Sequence, residues 1–108
     1  MTTNFLLSAN VDLWTTVIRY GQDIGVMVSG GTFGTGKVVT WEESGSVGTF
    51  SPNAAFAFGD VALVGGTTYT VWLAWKTNRS AAGIAIYAGA GPVNAKFSPT
   101  WLTATALT

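Results

Sequence analysis

Gly65 to Gly91, GGTTYTVWLAWKTNRSAAGIAIYAGAG, is the stretch whose reading decides the fold. From Thr68 to Lys76 its residues alternate: Tyr69, Val71, Leu73 and Trp75 share one side of an extended chain, and Thr70, Trp72, Ala74 and Lys76 share the other. The first side is wholly apolar or aromatic and is expected in the core. The second carries Trp72 and Ala74 beside Lys76, which is too apolar for a side that meets only water, so something is expected to cover part of it. Thr77 to Gly83 is rich in turn formers. Ile84 to Tyr87 then reads as a returning strand with Ile84 and Ile86 facing the core, ended by Ala88 to Pro92 because proline removes a ladder donor. The whole stretch reads as a hairpin.

Working outward, Asn4 to Ser8 and Leu13 to Tyr20 look like short strands on either side of a turn at Ala9 to Asp12. Ile24 to Ser29 and Lys37 to Glu43 follow, separated by a glycine-rich turn, and the loop Gly45 to Asn53 leads to Ala54 to Phe58 and Asp60 to Val64, with Gly59 as an expected bulge. Phe56 and Phe58 fall on one side of their strand and Ala55 and Ala57 on the other, a division suited to packing against a neighbouring sheet. Val93 to Lys96 is a polar linker, Phe97 to Thr100 a turn, and Trp101 to Leu107 the last strand. No segment sustains a 3.6-residue period. Eight to nine short strands at this spacing predict an all-β protein, an antiparallel β-sandwich of jelly-roll type, in one domain spanning residues 1–108.

Charged residues make up 9% of the chain and apolar residues 48%, against roughly 25% charged in an average soluble domain. With a formal net charge of zero, such a surface does little to oppose self-association, so an assembled protein is expected. Arg19, Lys37, Lys76, Arg79 and Lys96 are scattered singly, which argues against nucleic acid as a partner. The chain has no cysteine and no histidine, and so lacks thiolate ligands, thiol nucleophiles and the commonest general base. Phe5 to Leu7 is too short for the core of a signal peptide, and no apolar run approaches the ~20 residues that span a bilayer. No cofactor and no membrane are expected.

Gly31 to Lys37 satisfies the spacing GxxxxGK, but a phosphate-binding loop needs Ser or Thr after the lysine and a helix beyond it. Here Val38 follows and the run continues as a strand, so a β-turn is expected. Asp12, Asp23, Glu42, Glu43 and Asp60 are the only carboxylates, and acid–base chemistry would need two of them in one cleft. Glu42 and Glu43 point to opposite sides of a strand, and the serines have no histidine to activate them, so no catalytic residues are expected. Calcium on Asp12, Asp23 or Asp60 stays open, without a clustered DxDxD signature. Asn78-Arg79-Ser80 fits a glycosylation sequon and reads as a turn. The five tryptophans suit either sugar stacking or burial in a core or interface. Alternation assigns Trp75 to the core and leaves Trp72 between a subunit interface and a second packed sheet. Alternation assigns no side to Trp14 and Trp41; together with Trp72 and Lys76 they form the candidate interface set.

The segment TTYTVWLAWKTNRSAAGIAIYAGAG followed by FSPTWLTATAL, within residues 61–107, resembles the C-terminal strands of small jelly-roll modules in tailed-phage structural proteins. The shared pattern is a Gly-Thr-Thr-Tyr opening, a Trp-Lys-Thr-Asn exit, an Ile-Tyr-Ala-Gly-Ala-Gly return and a Phe-Ser-Pro-Thr lead into the last strand. The resemblance implies a virion protein that associates as a trimer, as C1q- and tumour-necrosis-factor-like heads do, and implies no catalytic residues. The expected role is a capsid decoration or cement protein, made in the host cytoplasm, whose partners are its own copies and the major capsid protein. Few residues precede the first expected strand, where a fibre tip ordinarily follows a shaft, and this favours decoration. The alternative is a receptor- or glycan-binding fibre-tip or lectin-like module using exposed aromatic residues.

Overall fold

The computed structural model describes residues 1–17, 20–29, 36–44, 53–78, 83–88 and 100–107. They contain seven strands: β1 (Thr2–Thr15), β2 (Gln22–Val28), β3 (Lys37–Ser44), β4 (Asn53–Val64), β5 (Val71–Thr77), β6 (Ile86–Ala88) and β7 (Trp101–Leu107). The protein is all-β, with two antiparallel sheets packed as a sandwich. In the larger sheet β1 is central, with β4 along one edge and β7 and then β6 along the other. In the smaller sheet β2 lies between β3 and β5.

Seven strands replace the expected eight to nine because two apparent breaks are not breaks. Asn4–Ser8 and Leu13–Thr15 belong to one strand that runs straight through Ala9 to Asp12, and β4 runs through Gly59 with no shift of register. Tertiary pairing overrides the local turn preference of Asn10 and Asp12, because Ala9, Val11 and Leu13 continue the inward alternation begun by Leu7. The bulge lies instead in β3, where the register shifts between Val26 and Met27 and Val39 is passed over. Among the described residues the strands form one four-stranded and one three-stranded sheet.

The expected hairpin is absent. β5 pairs with β2 in the smaller sheet, whereas β6 pairs with β1 in the larger, so the chain crosses the sandwich between them. Period-2 alternation marks each strand but carries no information about its pairing partner, and Arg79 to Ala82 of the expected turn lie outside the described residues. Consecutive pairing occurs between β2 and β3, whose flanking residues are those of the GxxxxGK spacing. Lys37 opens a strand opposite Val28, where a phosphate loop requires a helix; Gly30 to Thr35 lie outside the described residues. The same holds for Ile18 and Arg19, for Gly45 to Pro52, and for Gly89 to Pro99.

The core forms where the two central strands face one another: Leu7, Val11 and Leu13 from β1 meet Ile24 and Val26 from β2, and all five are fully buried. Each such side chain contributes about 1.5–3 kcal/mol on burial. The polar end of this core is closed by two buried side chains, Gln22 and Thr15, with Gln22 Nε2 donating to Thr15 Oγ1 at 3.3 Å. In the middle of β4 Ala55 and Ala57 face inward and are buried, whereas Phe56 and Phe58 face outward and are half exposed. Small residues are required there because β3 closes tightly on β4. A Cβ on Gly59 would sit 2.9 Å from Thr40 Cβ.

Of the six residues expected in the core, Val71, Leu73 and Ile86 are half-buried and pack against it, and Ile84 is half-buried. Tyr69 is also half-buried, with a structural use for its polar tip. Its phenolic oxygen accepts the Val64 N–H at 3.0 Å and so fastens the crossover from β4 to β5. Trp75 corrects the expectation: it faces inward opposite Ile24 yet is 41% exposed. β5 is an edge strand, so its inward side chains meet only the margin of the core.

Candidate functional site

Cross-strand register places three rows of side chains on the outer face of the smaller sheet. Val38, Met27 and Trp72 form the first row, Trp41, Gly25 and Ala74 the second, and Glu43, Asp23 and Lys76 the third. In the first, Met27 is fully buried although it points away from the core, lying between Val38 and a Trp72 that is 45% exposed. In the second, Trp41 is 57% exposed, and its cross-strand neighbour is a glycine. The indole forms one side of an open trench whose other lining comes from Val38 and from the third row.

The third row supplies the chemistry. Asp23 is 3% exposed, and its Oδ2 accepts a bond from Lys76 Nζ at 2.7 Å. Its Oδ1 is buried, and the Glu43 carboxyl is the group placed to bond it, which it can do only when carrying a proton. The Glu43 carboxyl is accordingly held above its ordinary value, first by that hydrogen bond to Asp23, then by the charge of Asp23 and by loss of water, against the opposing pull of Lys76. Asn78 closes the end of the row: its Oδ1 accepts the Gly21 N–H at 3.0 Å, and its own N–H donates to the Gly21 carbonyl at 2.9 Å. Arg79 and Ser80, the rest of the expected Asn78-Arg79-Ser80 turn, lie outside the described residues. Asp23, Glu43, Lys76 and Asn78, with Trp41 and Val38, line a cavity of about 470 Å³.

The outer face of the larger sheet is also aromatic. Across β1, Asn10 stands between Phe56 and Trp101, and Ser8 between Phe58 and Thr103. The Phe56 and Phe58 rings lie 5.5 Å apart at 44°, and all three aromatic side chains are about half exposed. Next to them β7 is exposed along its whole length, including Leu102, Ala104 and Ala106, whose side of the sheet extends beyond the cover of the smaller sheet. A second cavity, of about 330 Å³, opens between the sheets there, lined by Phe5, Leu7, Leu63, Tyr69, Val71 and Ala104 among others.

The expected interface set is therefore divided. Trp72, Trp41 and the Lys76 side chain are exposed on one face of the smaller sheet. Trp14 does not join them. It lies on the larger sheet, directly opposite Tyr87, and is only 8% exposed. The three aspartates considered for calcium are also separated: Asp23 is on the smaller sheet, Asp12 and Asp60 on the larger, with Asp60 opposite Leu6. The pairing of Asp23 with Glu43 is absent from the sequence reading. Its only local signal is a lone carboxylate at the head of the apolar run Ile24 to Val28, whose partner is set by the β2–β3 register. Comparison with protein-family models, with curated proteins and with solved structures returns no match.

Proposed function

We propose that this chain is a structural subunit of a tailed-phage virion, a capsid decoration or cement protein that associates with its own copies and with the shell. The observation that carries this reading is the aromatic row Phe56, Asn10, Trp101, with Phe58 beside it, on the outer face of the larger sheet. Apolar side chains so grouped on a chain with 9% charged residues are an assembly surface. The adjoining strand β7 strengthens the reading. Its sequence, WLTATAL, holds none of the lysines or prolines by which exposed edges are kept from pairing. Second copies on this face would bury the aromatics, and the trimer and the jelly-roll order implied by the resemblance belong to the same proposal. A subunit that binds only the assembled shell stabilises it by mass action.

The test is the copy number of this protein per purified particle, measured by quantitative mass spectrometry against the major capsid protein. A number comparable to that of the capsid protein is the expected result. A number small enough for a single tail structure would replace decoration by a fibre role, and absence from the particle would overturn the virion reading.

A further inference from the structure

We infer that the trench on the outer face of the smaller sheet binds a neutral saccharide, with a sugar ring stacked on Trp41 and its hydroxyl groups bonded by Glu43, Lys76 and Asn78. The inference does not depend on the virion reading, since it uses a different face. Four observations carry it. The Trp41 indole is more than half exposed and lines the trench, where a flat, partly apolar ring can stack on it. The cavity of about 470 Å³ lies in the range of roughly 300–1,000 Å³ that small-molecule ligands occupy.

The polar groups are also matched to hydroxyls rather than to anions. Asp23 and Lys76 pair at 2.7 Å, and Glu43 adds a second carboxyl to the row, so its one ammonium is already paired and no surplus cation is offered to an anion. A carboxyl and an ammonium side by side donate and accept within one small area, which is what vicinal hydroxyl groups require. Finally, the row is partly organised: Asp23 is buried with one oxygen on Lys76 at 2.7 Å, which holds the ammonium in place before any ligand arrives.

The experiment is titration of the whole chain with a set of neutral tetrasaccharides built from glucose, N-acetylglucosamine, mannose or galactose, followed by tryptophan fluorescence and calorimetry, with sialyllactose as the charged comparison. Saturable binding of at least one neutral tetrasaccharide is expected, weakened about tenfold or more by Trp41→Ala. Glu43→Ala is expected to weaken it as well, and Asp60→Ala, on the opposite sheet, to leave it unchanged. Silence of every neutral sugar up to about 10 mM would overturn the inference. So would binding that survives Trp41→Ala, a preference for sialyllactose, or a Trp41→Ala variant whose main effect is a smaller oligomeric mass.

Discussion

Ile24→Ala should lower the unfolding free energy by about 2–5 kcal/mol, whereas Trp75→Ala, although it removes a much larger side chain, should cost only about 1–2 kcal/mol. The two residues are directly opposite one another in the β2–β5 ladder and face the same way. They differ in what stands above them. Ile24 is on a central strand with the larger sheet over it and is fully buried, so truncation leaves a cavity that close-packed neighbours cannot fill. Trp75 is on an edge strand and keeps 41% of its surface in water, so much of its apolar area is never transferred. Because a domain of this size is stable by about 5–15 kcal/mol, the first variant should show a large fall in the urea midpoint and the second a modest one. Equal effects, or a larger effect at Trp75, would mean that the smaller sheet sits differently over β1.

Gly59→Val should destabilise the fold by about 1–3 kcal/mol without involving any ligand or partner. Gly59 is opposite Leu7 in the β1–β4 ladder, and an added Cβ would meet Thr40 Cβ at 2.9 Å and the Val39 carbonyl oxygen at 3.3 Å. The requirement is for space. Thr40→Ser removes the methyl group that a Gly59 substituent would meet at 3.3 Å and should recover part of the loss in the double variant. Additive losses, read from thermal or urea unfolding of the four proteins, would show that the two sheets do not touch at this point.

The sequence was most informative where alternation alone decides. All-β class and the outward aromatic on β5 at Trp72 were legible because a period of two assigns sides without reference to partners. Pairing was not legible. The run from Thr68 to Tyr87 looks like a hairpin, yet its two halves join different sheets, and nothing local distinguishes a turn from a crossover. Ala9 to Asp12 and Gly59 misled for a related reason: each has turn or bulge chemistry, but the long ladder between β1 and β4 holds both extended. The candidate site was half visible. Trp41, Trp72 and Lys76 stood out as residue types, whereas Asp23 and Glu43 meet only through the β2–β3 register, and Trp14 lies on the other sheet, beside a strand whose placement no local pattern sets.

The account rests most heavily on assembly through Phe56, Phe58 and Trp101, and sedimentation equilibrium of the wild-type chain beside the Phe58→Ser, Trp101→Ser variant tests it directly. The wild type should have a mass that is a multiple of 11.2 kDa, three times that value for the trimer, and the variant should fall to 11.2 kDa while keeping its β-sheet circular dichroism. A wild type that sediments at 11.2 kDa, or a folded variant with the wild-type mass, would contradict it.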